Sequence, residues 1–324
     1  MKVTIIIPIY NQIKYLQQSI NSAIRQTYSD IQIILIDDGS TDGSSQICDK
    51  YEAIDQRIQV IHKKNGGLSS ARNVGLDTMI GTYVTFLDGD DILASDFIDK
   101  AVELCEKNSA DIAILDMKYF TDEIDNEKNQ MEEEIEHIYE PERAIEESLY
   151  QVLYSCCAPG KIYKSEIFKE IRFPLKKLAE DLAICHKVIN NANKIVYLNK
   201  IGYYYRQHNM SITHVFNPNR MDALVWAHDI QHFCKQNYPN IIEAAQCRLF
   251  NVAVHLLLDI SAKDELDKVY KPIIWKDIKK TRFVVIRNKK IRLREKFAAV
   301  LTFGGTTLLR SVWNSKLAVK RSKF

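Results

Sequence analysis

An alternation in the first 120 residues constrains this chain most. Short runs of β-branched residues are separated by segments whose apolar residues recur at helical spacing. The first run spans residues 3–10, and after it Ile13, Leu16, Ile20, Ala23 and Ile24 fall on one helical face. The same pattern predicts strands at 31–36, 58–62, 83–87 and 111–117, with helices at 41–54, 69–78 and 95–107. Strands separated by helices pair in parallel through helical crossovers. The expected fold class is therefore α/β, a doubly wound and mostly parallel sheet. Ligands of such sheets collect at the carboxyl ends of the strands, where strand order reverses. Here those ends are Pro8-Ile9-Tyr10-Asn11, Asp37-Asp38-Gly39-Ser40, residues 63–67 and Asp88-Gly89-Asp90-Asp91.

Asp88-Gly89-Asp90-Asp91 carries the clearest chemistry. Short carboxylates suit hard cations such as Mg²⁺ or Mn²⁺, and a cation held by only one or two of them keeps positions open for phosphate oxygens. Gly89 lets the backbone bend close to a ligand. The same tetrad also fits a capped turn. At 37–42 a carboxylate can accept a base N–H, and this segment too fits a capping turn. Residues 65–73 form a glycine turn leading into a helix, whose free amides attract anions. Arg72 in that segment fits a contact to phosphate, a strut holding aspartates, or a plain surface position. No G-x-G-x-x-G follows the first strand, no P-loop motif occurs, and there is no G-x-S-x-G elbow. These absences argue against dinucleotide enzymes, P-loop enzymes and serine hydrolases.

Taken together and in order, residues 3–11, 37–42, 65–73, 88–91 and Glu180-Asp181 resemble glycosyltransferase family 2, inverting enzymes with the Rossmann-like GT-A fold. The resemblance covers roughly residues 1–215. Members of that family build capsules, exopolysaccharides or teichoic-acid decorations from UDP-sugars. The resemblance implies that Pro8 and Tyr10 line the nucleotide pocket and that Asp38 bonds uracil. It places Asp88 near ribose and sugar, with Asp90 on the metal. Asp181 becomes the base that takes the acceptor proton, with Glu180 tuning or orienting. Arg206 and Ser211 lie in the segment expected to close over the diphosphate, and His208 would complete a metal shell with Asp88 and Asp90. The family usually has D-S-D or D-A-D where this chain has Asp88-Gly89-Asp90, a change that removes only a small side chain. The implied activity is hexosyl or N-acetylhexosaminyl transfer to a lipid-linked or oligosaccharide acceptor, using Mn²⁺ or Mg²⁺. A sugar nucleotidyltransferase is disfavoured, because the loop Tyr10-Asn11-Gln12-Ile13-Lys14 lacks the glycine and arginine richness those enzymes carry. The alternative from another class is a non-catalytic nucleotide-sugar binder within a glycan assembly complex.

The expected organisation is a glycosyltransferase domain over 1–215 and a helical basic region over 216–324. The first divides into a nucleotide-sugar half (1–117) and an acceptor-side half (118–215). Charge is uneven. Residues 121–150 hold twelve Asp/Glu against two Lys/Arg, and residues 271–324 hold sixteen Lys/Arg against two acids. That tail carries +14 and the remainder −12, matching the net +2. Its cations are interleaved with Trp275, Phe283, Phe297, Phe303, Leu308, Leu309 and Trp313. This composition fits an interfacial surface on anionic lipid, with a contact between copies as the other reading. No nucleic-acid module is recognisable. Seven cysteines without a C-x-x-C pair read as free thiols. No signal peptide is recognisable, and no unbroken apolar run reaches the ~20 residues that span a bilayer. The expected location is the cytoplasm, peripherally on the inner face of the membrane.

Overall fold

A computed structural model describes residues 1–121, 133–207 and 216–314. The first unit comprises Met1–Ala144 and Cys157–His208. Its strands and helices run β1 (Val3–Ile9), α1 (Leu16–Ile24), β2 (Ile31–Asp37), α2 (Ser44–Ile54), β3 (Ile58–His62), α3 (Leu68–Thr78) and β4 (Tyr83–Phe86). There follow β5 (Ile92–Leu93), α4 (Phe97–Asn108), β6 (Ile112–Phe120), β7 (Glu136–Tyr139), α5 (Pro141–Tyr150), β8 (Lys161–Lys164), α6 (Glu180–Asn190) and β9 (Ile195–Arg206). The helix α5 runs from this unit into the second.

The strands form one sheet in the order β3-β2-β1-β4-β8-β6-β9-β5, with β7 added against β9. From β3 to β4 all pairs are parallel, as the alternation predicts. Beyond β4 the sheet is mixed: β8 pairs antiparallel with β4 and β6, β5 and β7 pair antiparallel with β9, and β6 pairs parallel with β9. The antiparallel insertions were not legible, because β5 and β8 are too short for a periodicity. Every residue of β1 and β2 is buried, which explains their continuous rather than alternating hydrophobic runs. Helix α3 lies close on β1 because Gly75 faces Ile6. A Cβ there would come within 2.4 Å of the Ile6 Cγ2. Strand order reverses beside β1, whose neighbours are β2 and β4. The ends of these three strands carry three of the predicted ligand-facing segments.

The second unit comprises Ile145–Cys156 and Asn209–Phe324, so it includes a segment from within the stretch expected to be the acceptor-side half. Its helices are α7 (Asp222–Asn237), α8 (Ile242–Asp259), α9 (Glu265–Arg287), α10 (Leu293–Leu301) and α11 (Gly305–Asn314), with a 3₁₀ turn at Thr302–Gly304. Leu249, Val252, Leu256 and Leu257 of α8 are all buried, as their spacing predicts. Among the described residues one helical stretch, Pro239–Asp259, is long and apolar enough to cross a membrane by length and composition, with a mean hydropathy of 1.4. This corrects the expectation that no segment reaches that length. Charged and polar residues at Glu243, Arg248 and His255 interrupt the run and mask it to the eye. Since 67% of it is buried within the protein, it has the character of a core helix. All seven cysteines are free thiols.

Candidate active site

The loops after β1 and β2 are stapled together. Asn11 adopts a positive φ of 52° and its side chain accepts the Thr41 amide at 2.8 Å. The Asn11, Gln12 and Ile13 amides donate to Ser40 Oγ, Ser44 Oγ and Asp42 Oδ2. Pro8 is buried at the end of β1, while Tyr10 is 49% exposed, leaving its ring free to meet a flat partner. Asp37 is buried and accepts from the Ser40 amide, the Ser45 hydroxyl and His62 Nδ1 at 2.9, 2.7 and 2.8 Å. Burial works against its charge, but those hydrogen bonds outweigh it and hold the carboxyl below its ordinary value.

Asp38 is held from within the protein. Its carboxylate pairs with Lys63 and accepts the Gly66 amide at 2.9 Å and the Gly67 amide at 2.7 Å. Asn65 Nδ2 donates to its carbonyl at 3.0 Å. The carboxylate expected to accept a uracil N–H thus also accepts the amides of the glycine turn. Here Asp38 anchors residues 63–67 to the end of β2. Lys63 was the missed partner, and the signal for it was its position directly after the third strand.

Arg72 gathers the centre. It projects from α3, is 1% exposed, and lies beside the rings of Phe173 and Phe86, at 5.2 and 5.8 Å. Its Nη2 donates to Asp88 Oδ1 at 2.9 Å, and its Nη1 donates to Asp181 Oδ1 at 2.9 Å and to Glu180 Oε1 at 3.1 Å. Of its three sequence readings, the geometry selects the strut. Burial alone would weaken the guanidinium's hold on its proton, but Asp181, Asp88 and Glu180 together strengthen it. Glu180 and Asp181 open α6, where the helix dipole favours acids. Ala179 before them is left-handed at φ 55°, a conformation that costs energy and often marks functional sites. Burial, reinforced by neighbouring Asp181 and opposed by Arg72, pushes the Glu180 carboxyl up to about 7. Burial also raises Asp181 against the opposing pull of Arg72.

The tetrad after β4 turns tightly. The Asp91 amide donates to the Asp88 carbonyl at 3.0 Å, and a Cβ on Gly89 would sit 3.3 Å from the Pro8 carbonyl. Asp91 is buried, accepts the Tyr203 hydroxyl at 2.6 Å and the Arg206 amide at 2.7 Å, and is pushed well up by burial and by Asp88 and Asp90. Tyr203 also receives the Asp88 amide at 3.2 Å, so β9 holds the turn from behind. No local signal marked Tyr203, because its partner lies more than a hundred residues earlier in the chain.

Arg206 sits deep in the protein. It was expected at the diphosphate but is 3% exposed, lying over the rings of Tyr15 and Phe120 at 4.5 and 4.4 Å. Its Nε donates to the Asp90 carbonyl at 2.8 Å and its Nη2 to Gln18 at 2.6 Å, making it a brace for the tetrad. His208 and Ser211 lie outside the described residues. Asp88 and Asp90, both half-buried, are hard oxygen donors on one turn. They fit a cation that completes its shell with donor phosphates. Among the described residues no group of three His, Cys, Asp or Glu is placed to hold a metal unaided.

The structure is similar to that of S. aureus TarS residues 1–349, solved with UDP-GlcNAc. The TM-score is 0.68 at 20% identity, over 98% of this chain and 92% of that one. The fold is thus that of a GT-A glycosyltransferase with a helical C-terminal region. The sequence profile described as Glycosyl transferase family 2 matches residues 4–172, and the chain belongs to that family. Among curated relatives, Glycosyltransferase GlyG of Streptococcus pneumoniae serotype 4 is 31% identical over 292 residues, covering 85% of this chain and 93% of GlyG. Glycosyltransferase GlyA of the same organism is 37% identical over 236 residues, which is 69% of this chain but only 33% of GlyA.

Proposed function

We propose that this glycosyltransferase moves a hexose or N-acetylhexosamine from a UDP-sugar to an acceptor hydroxyl, with inversion and with Mn²⁺ or Mg²⁺. The observation that carries this reading is the single guanidinium of Arg72 bonded to Asp88, Glu180 and Asp181. It brings the first acid of the Asp88-Gly89-Asp90 turn into one cluster with an acid pair at a helix start. Pro8 and Tyr10 offer a surface for the base, and the start of α3, after the glycine turn held by Asp38, offers helix-start amides toward phosphate. Asp88 and Asp90 would hold the metal, with His208 as a further candidate ligand. When bound, such a cation neutralises charge on the leaving diphosphate. Asp181 takes the acceptor proton as the hydroxyl attacks the anomeric carbon, and its raised proton affinity suits that task. Glu180 holds a proton near neutrality and can orient the acceptor. The UDP-GlcNAc in the TarS structure supports the nucleotide, and the relatives' names support the reaction class. The acceptor in this reading is a lipid-linked glycan or oligosaccharide of a cell-surface polysaccharide, met in the cytoplasm at the inner leaflet.

The test is UDP release from UDP-Glc, UDP-Gal, UDP-GlcNAc and UDP-GalNAc with Mn²⁺, comparing the parent with Asp90→Ala and Asp181→Asn. One donor should turn over, and Asp181→Asn should slow it by roughly 10²-fold or more. Donor binding with no turnover under any acceptor would favour the non-catalytic binder.

A further inference from the structure

The second unit exposes a mixed apolar and cationic surface that the transferase chemistry leaves unused. Along α9, Val269, Ile273, Lys276, Lys280, Phe283 and Arg287 recur at steps of four and three, and all six are exposed. They therefore share one face of the helix. Along α10, Leu293, Phe297 and Val300 repeat that spacing at 82, 55 and 53% exposed, and Phe303 follows three residues on at 52%. The two stripes meet. The Phe283 and Phe303 rings are edge to face at 5.3 Å, and Arg282 lies over Phe303 at 4.0 Å. Four large exposed hydrophobics in one stripe, joined to a second, exceed the scattered apolar residues of an ordinary surface. Among the described residues no acidic side chain pairs with Lys276, Lys279, Lys280, Arg287 or Lys289. The acid nearest in sequence to Lys276, Lys279 and Lys280, Asp277, is turned inward to His228 at 2.9 Å.

We infer that the outer face of α9, α10 and the 302–304 turn is a docking surface for an anionic lipid bilayer. Charge selects this occupant. A second copy would bring the same unneutralised cations against themselves, whereas anionic headgroups satisfy them while the aromatic rings enter the interface. This deepens the peripheral placement proposed above and is independent of the donor chemistry.

The test is flotation of the full chain with phosphatidylcholine vesicles, with and without phosphatidylglycerol, at low and high salt. The parent should float only with the anionic vesicles and be released by salt. Phe283→Ser with Phe303→Ser, and separately Lys276→Glu with Lys280→Glu, should each weaken partitioning on the order of tenfold or more. Circular dichroism and UDP release in both variants should match the parent, which separates a lost surface from a lost fold or a failed transferase assignment. No preference for anionic vesicles would overturn the inference. So would a concentration-dependent dimer abolished by the same substitutions, because the face then belongs to a second copy.

Discussion

Arg72 is bonded to three carboxylates while almost wholly buried, so its removal is severe. Arg72→Ala leaves acids uncompensated in a low-dielectric pocket, and the expected loss of stability is about 3–5 kcal/mol in urea unfolding. Glu180 gives a finer test. It takes up a proton at about 7, and its ionisation beside Asp181 strengthens that base, so the rate of sugar transfer should rise with pH along an acidic limb near neutrality. Glu180→Gln removes that titration, and the limb should move to lower pH. An unmoved limb would take Glu180 out of the rate. At this scale the sequence marks the acids but not their partners. Asp88, Glu180 and Asp181 are marked by motif, whereas Lys63 on Asp38 and Tyr203 on Asp91 are fixed by tertiary approach, which leaves no trace in local spacing. The setting of Arg206 is hidden for the same reason. Its motif position says nothing about the rings of Tyr15 and Phe120 that bury it.

At the level of elements, the parallel half was legible because long Val/Ile runs and helical repeats carry a strong period. The strand Ile58–His62 has the bounds its pattern predicts. The mixed half was not, since β5 has two residues and β8 four. Their pairing is set by the strands beside them rather than by their own composition. Contact between α3 and β1 gives a direct test. Gly75→Ala puts a methyl into Ile6, and overpacking at a fully buried strand costs about 1–3 kcal/mol. Because α3 carries Arg72, the same substitution should lower turnover as well as the thermal midpoint. A midpoint equal to the parent's would show that the helix can lift from the strand without cost.

Across the whole molecule, two sets of carboxyls set opposite pH trends. Asp37, Asp111 and Asp267 are held below their ordinary values by hydrogen bonds and ion pairs that outweigh burial. Their stabilisation is present above the ordinary carboxylate range and is lost as pH falls through their folded values. Glu180 runs the other way. Its folded value near 7 lies above the ordinary 4.5, so the native state binds more protons across that window and stability falls as pH rises through it. The thermal midpoint should therefore peak on the acid side of neutrality, and Glu180→Gln should flatten the neutral flank while leaving the acid flank alone. The Arg72 cluster has one more consequence, for recombination between relatives. Its cation comes from residue 72, one acid from residue 88 and two from residues 180 and 181. A chimera spliced between those positions exchanges part of an ionic set without the rest. In the proposed reading, where Asp181 takes the acceptor proton, a splice between residues 88 and 180 would thus reset the strength of that base along with whatever else it exchanges.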